Sequence, residues 1–158
     1  RNYWMLVTTP ANYVVTRNLS FALLGLPSYL RRKAESMTSG DRLLLYVSGL
    51  QRFGATVTLT STCFEEDTVH WRSHKLEENF PYRVSIEPTV VLDDEVDFLD
   101  AREIGPRMEY VKKWTPERWP LAFHSTLLHL IPRKDFSLIE EEMKKIVYQK
   151  EGAGSDTT

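Results

Sequence analysis

The chain has 158 residues, and at about 100–200 residues per domain this predicts one domain. Its 42% hydrophobic and 27% charged residues predict a globular protein, and apolar runs no longer than Leu43–Val47 exclude a membrane-spanning helix. The net charge of −2 argues against a chain that coats itself in nucleic acid, but it is unevenly spread. Residues 1–52 hold seven Lys/Arg against two acids, a local +5, and the remainder holds thirteen against twenty, a local −7. That asymmetry predicts one basic face on an otherwise acidic protein.

Tyr3–Thr8 is aromatic and β-branched and predicts the first strand. Pro10 suits the first turn of a helix, here Pro10–Arg17. Gly25-Leu26-Pro27 breaks the chain, and Ser28 is placed to cap a second helix, Tyr29–Met37, with Arg31, Arg32 and Lys33 in its first two turns. After the turn Ser39-Gly40-Asp41, Arg42–Ser48 reads as a buried strand, and the segment from Gly49 to Gly54 reads as a hairpin connection. In Ala55–Thr62, Val57 and Leu59 alternate with threonines, the period of a half-buried strand. Pro81–Leu92 predicts two strand segments around Pro88, or one with a bulge.

The segment from Asp93 to Glu103 carries six acids and one arginine and predicts a solvated acidic face. After Pro132, Phe136, Ile139, Met143, Ile146 and Val147 recur at helical spacing, with Asp135 as the expected N-cap. Glu140–Lys144 and Glu141–Lys145 support that helix in the favourable i,i+4 order. Residues 150–158 lack an apolar anchor and are expected to form a disordered tail or linker, leaving 1–149 as the domain. Strands do not alternate with long crossover helices, so the pattern predicts an α+β domain: a curved antiparallel β-barrel flanked by short helices and a C-terminal helix.

Several chemistries find little support. His70 and His74 stand four apart, as two metal ligands on a helix would, but the stretch around them reads as strand or loop, so no metal is expected. His124 and His129 flank Leu127-Leu128 and read as buried histidines satisfied by backbone. Around Ser48, Tyr46 and Leu50 occupy the positions where a nucleophile elbow needs glycines. Cys63 precedes a run of acids, which raises a thiol pKa. The seven glycines are scattered singly, so no phosphate cradle forms and no cofactor is expected. The lone cysteine allows no internal disulfide and no leader peptide opens the chain, which together predict a cytoplasmic setting. There remain the basic groups of the first half, which can contact phosphates, and the aromatic side chains near the first strand and in Trp114–Trp119, which can stack on a base.

Two stretches carry a resemblance. Tyr3-Trp4-Met5-Leu6-Val7-Thr8, Asn12, Gly25-Leu26-Pro27 and Gly40-Asp41-Arg42-Leu43-Leu44-Leu45-Tyr46 follow one another as in the opening of the EVE domain. Trp119, Phe123, Leu130-Ile131-Pro132 and Asp135-Phe136-x-x-Ile139-Glu140 are similar to its end. The resemblance spans about residues 3–147 and implies a PUA-like fold related to the YTH readers of N6-methyladenosine. It also implies a non-enzymatic module that receives a modified base of DNA or RNA, sometimes fused to or associated with a nuclease or ATPase. Asn12 matches an Asn set against the base edge, and Leu24 falls where relatives often carry a cage Trp, with Phe21 or Tyr29 as stand-ins. Tyr46 and Ser48 match the pocket floor, Trp119 a second wall, and Trp114 stands behind it. Arg17, Arg31, Arg32, Lys33 and Arg52 are the expected phosphate contacts. Two alternatives stay open: an enzyme on a small nucleoside-like substrate using His124, and a protein-interaction domain using the acidic 93–103 face.

Overall fold

The computed structural model describes residues 1–73, 79–109 and 127–155. Strand β1 (Tyr3–Thr8) leads into helix α1 (Pro10–Asn18), whose N-cap is Thr9: its hydroxyl accepts from the Asn12 amide at 3.1 Å while Pro10 takes the first helical position. The helix stops where Ser20 and Phe21 turn left-handed, at φ 58° and 51°. The chain then enters β2 (Leu23–Leu26), so the Gly-Leu-Pro stretch is the end of a short strand, not a simple break. A 3-10 turn (Ser28–Leu30) runs directly into α2 (Arg31–Ser36), and Ser28 is the first residue of that turn, without a side-chain cap.

Strands β3 (Arg42–Val47) and β4 (Arg52–Leu59) form a hairpin whose turn puts Gly49 and Gln51 at positive φ. After the short β5 (Phe64–Glu65), β6 (Tyr82–Val91) is one long strand. Its register against β4 slips between Val57↔Pro88 and Thr56↔Val90, which leaves Thr89 as the extra residue of a bulge beside the proline that cannot donate to the ladder. Among the described residues there follow β7 (Leu99–Asp100), α3 (Ala101–Ile104), β8 (Leu128–Leu130) and α4 (Arg133–Ser155).

The sheet order is β2-β6-β4-β3-β1-β8, with β5 on β6 and β7 on β4. It is an α+β domain built on a curled sheet, but mixed where an antiparallel one was expected: β1 and β3 run parallel, Tyr3↔Arg42 to Thr8↔Val47. A parallel pair needs a long crossover, and α1, β2 and α2 provide it. Strand β6 serves two neighbours in succession, since Tyr82–Ser85 pair with β2 and Ile86–Val91 pair with β4.

One cluster of buried side chains fills the concave side, including Trp4, Leu43–Leu45, Tyr46, Phe53, Val84, Phe136, Ile139 and Met143. Helix α4 is held on the sheet by more than its apolar stripe. Arg42 pairs with Glu140, Thr56 Oγ1 donates to Glu140 Oε2 at 2.6 Å, and the Arg42 guanidinium lies 5.0 Å over the Phe136 ring. Asp135 is not the N-cap of α4, because the helix begins two residues earlier; its buried carboxylate accepts instead from the Glu109 amide at 2.8 Å. The helix runs on through Ser155, past the expected start of the tail, since adding residues to a formed helix costs far less than starting one and Lys150 is anchored by an ion pair with Asp97.

Candidate functional site

The outer face of the β2–β6 pair carries a second, smaller buried assembly. Residues Gly25 and Arg83 are direct cross-strand partners, one residue along from the Leu24↔Val84 pair. Because side chains alternate across a strand, Leu24 and Val84 point into the main core while Gly25 and Arg83 face the other way. The indole of Trp71 lies against them. A Cβ on Gly25 would sit 2.4 Å from Trp71 Cε3, so only glycine leaves room for the ring, and the Arg83 guanidinium is 5.2 Å from the ring centroid on a cation–π approach. Trp71 is 2% exposed yet is absent from the main core cluster.

Helix α1 closes the assembly from the side. Asn12 and Thr16, one turn apart, share a face. The indole Nε1 of Trp71 donates to Thr16 Oγ1 at 2.9 Å, and Thr16 donates in turn to the Asn12 carbonyl at 3.1 Å. The Asn12 side chain makes a two-bond ring with the backbone of one residue: Nδ2 donates to the Arg72 carbonyl at 2.7 Å, and the Arg72 amide donates to Oδ1 at 3.0 Å. His70 packs edge-on to Trp71 at 5.4 Å. From the sheet side, Arg83 donates to the carbonyls of Thr68, Asn79 (3.0 Å) and Phe80 (3.2 Å), and Glu66 supplies a carboxylate at 3.6 Å. Phe80 sits at φ 53°, a conformation that costs a bulky residue about 1–3 kcal/mol and persists only where its surroundings fix it.

The expected site residues divide accordingly. Asn12 is in this assembly. Leu24 is beside it in sequence but faces the core, and of its proposed stand-ins Phe21 packs in the core against Tyr13 while Tyr29 is on the surface. Tyr46 is wholly buried against Phe53 at 5.3 Å, and burial, with the Asp100 carboxylate adding to it, pushes its phenol up to about 12. Ser48 is tied to β1, its hydroxyl donating to the Thr8 carbonyl at 3.2 Å. Trp114, Trp119 and His124 lie outside the described residues. Burial first, then Glu35 and Glu65, pushes the Cys63 thiol up, against nucleophilic use.

The basic residues do not form one row. Arg17 and Arg32 are exposed. Arg31 is exposed too, paired with Glu35 at 2.8 Å and 6.0 Å from the Tyr82 ring. Lys33 reaches the other way, donating to the Leu128 carbonyl at 2.8 Å. Arg52 lies at the far hairpin, its guanidinium toward the Glu95 and Val96 carbonyls at 3.3 and 3.4 Å.

Sequence reasoning missed Trp71, Thr16, Gly25 and Arg83. One signal was available: Trp71 is a lone large aromatic in the polar run Glu65–Arg72, with no periodic apolar neighbours to make it core. The arginine gave none, because alternation along β6 places it on the face opposite Val84 and hence in solvent.

Comparison with known proteins bears on this arrangement. The EVE domain model matches residues 2–141. A UPF0310 protein of Pyrococcus abyssi is 24% identical over 147 residues, covering 88% of this chain and 97% of that protein. Among solved structures, the YTH domain-containing protein Mmi1 in complex with RNA matches with a TM-score of 0.65 at 7% identity, over 96% of this chain and 87% of that one. The YTH domain of Zygosaccharomyces rouxii MRB1, in complex with N6-methyladenosine RNA, matches with a TM-score of 0.60 at 14% identity, over 90% and 87%. Among the described residues no helix is long and apolar enough to cross a membrane. With its order of strands, its Tyr-Trp and Gly-Asp segments and a family match across most of its length, the chain belongs to the EVE domain family.

Proposed function

We propose that this chain is a non-enzymatic nucleic-acid-binding module that takes a modified, methylated base on the outer face of β2–β6, beside Trp71 and Asn12. The observation that carries the reading is the paired placement of a side-chain amide and an indole against a glycine-opened strand. An Asn amide offers one donor and one acceptor side by side, the pattern that an adenine edge complements. The backbone N–H and C=O of Arg72 present that same pair of groups to Asn12, so the amide is already oriented for such an edge, and an incoming base takes the place of that backbone. The two YTH neighbours solved with RNA support an RNA ligand ahead of DNA. Exposed Arg17 and Arg32 are the phosphate contacts of this reading, with Arg31 a weaker one because Glu35 holds it.

The test is a titration of single-stranded RNA and DNA, with N6-methyladenosine or adenosine at one position, at two salt concentrations. The methylated RNA binds tighter, by no more than about 1–3 kcal/mol for the one added carbon. Asn12→Ala removes that preference, whereas Arg32→Ala weakens every strand alike. Equal binding of all strands by the unaltered protein overturns the modified-base reading, and no binding at all overturns the nucleic-acid reading with it.

A further inference from the structure

We infer that Arg83 is the positioning residue of this site: by gripping the backbone at Thr68, Asn79 and Phe80, on either side of Trp71, it fixes where the Trp71 ring stands. The inference rests on the reading of the site given above. Arg83 has no exposed side-chain surface, and a buried guanidinium must be paired and hydrogen-bonded to be tolerated. Every such partner it has among the described residues lies at 66–71 or 79–80: the Thr68, Asn79 and Phe80 carbonyls, the Glu66 carboxylate and the Trp71 ring. None of them belongs to a strand or helix.

The contrast with Arg42 is instructive. That arginine joins the sheet to α4 and so serves the fold. Arg83 joins a sheet strand to a segment whose buried indole lies outside the main core. It also holds Phe80 in its left-handed conformation, because the carbonyls on either side of that strained residue's amide both accept from the same guanidinium. A planar fork can reach several carbonyls while lying against a ring, and an ammonium on a flexible stem cannot. Trp71 is thus held from the sheet independently of the Asn12–Arg72 pairing, so that pairing can be exchanged for a base without loss of the wall.

Arg83→Lys and Glu66→Ala test this in the full chain, each with and without Trp71→Phe so that the Trp71 signal is obtained by difference. Three quantities are read: acrylamide quenching of Trp71, the affinity ratio for methylated over unmethylated RNA, and the salt dependence of binding. In Arg83→Lys, quenching of Trp71 rises and a preference of about tenfold, the scale set by one carbon, falls to about one, with the salt dependence unchanged. Glu66→Ala moves the first two in the same direction and less far. A cooperatively folded Arg83→Lys protein with unaltered quenching and preference overturns the inference. If Arg83→Lys does not fold, unaltered values in Glu66→Ala overturn it. Absence of any preference in the unaltered protein defeats the functional reading alone, and the quenching measurement still decides the placement of Trp71.

Discussion

The indole Nε1 of Trp4 donates to Asp41 Oδ2 at 3.0 Å, across 37 residues of sequence. Asp41 is buried, and its carboxylate also accepts from the Asn2 amide at 2.9 Å, the Thr38 amide at 3.1 Å and the Thr38 hydroxyl at 3.2 Å. The Tyr-Trp opening and the Gly-Asp turn, which carried the family resemblance, are therefore two halves of one polar lock. It sets the start of β1 beside the start of β3, the one parallel pairing among the described strands.

The lock predicts an acid limit to stability. Burial raises the Asp41 pKa, but the donors from Asn2, Trp4 and Thr38 together outweigh it and hold the carboxyl below its ordinary value. A folded-state pKa below the unfolded value of about 3.9 gives stability that is complete above that pH and lost as pH falls through the folded value. Urea midpoints stay level from neutral pH down toward 5 and fall below about 4. Asp41→Asn lowers the level part and flattens the acid fall, and equal acid slopes for the two proteins would remove Asp41 from this account.

Gly25→Ala places a methyl group 2.4 Å from Trp71 Cε3. The strand backbone cannot yield without breaking its pairing with Arg83, so the ring is displaced. We expect a loss of about 1–3 kcal/mol in denaturant titration, as for other overpacked sites, and a red-shifted tryptophan emission. Unchanged emission would mean that the ring does not depend on the missing side chain.

Under the proposed reading, Arg52 and Arg32 separate by role. Arg32→Ala lowers the salt slope of nucleic-acid binding by about 0.7–0.9, the share of one phosphate contact. Arg52→Ala leaves the slope unchanged, because its guanidinium serves the Glu95 and Val96 carbonyls at the far hairpin. A slope change in Arg52→Ala would return that hairpin to the interface.

Glu140 is shared by Arg42 and Thr56 beneath α4. Glu140→Ala strands a half-buried arginine and costs about 3–5 kcal/mol, whereas Arg42→Met with Glu140→Met costs less than the two single changes summed. A double-mutant cycle in urea measures the difference, and additivity would show that the pair does not act as a unit.

Much of the frame was legible because strong local patterns agree with the fold. Strand β1 was marked by aromatic and β-branched residues, α1 by its proline, and α4 by a long apolar stripe. Strand β2 was hidden because its four residues include a glycine and end at a proline, and it exists only through pairing with Tyr82–Ser85. Arg31, Arg32 and Lys33 read as one patch, but successive helical residues point about 100° apart, and Lys33 turns to Leu128 while Arg31 turns to Glu35. Of the buried assembly, Asn12 was singled out through the family resemblance. Trp71 and Arg83 were not, because what buries them is a segment folded back over the outer face of the sheet, and no periodicity along either element encodes that cover.

The pairing of β1 with β8 brings the first strand against one formed by residues 128–130, bounded by the bonds Val7 N to Leu127 O at 2.7 Å and Ile131 N to Tyr3 O at 2.9 Å. During synthesis the outer edge of β1 therefore stays open until residues 128–130 have left the ribosome. An open strand edge is a template for pairing with another chain. A fragment cut just before β8 is accordingly not a smaller version of this domain but one with an unsealed seam, and β8 both closes that edge and protects it.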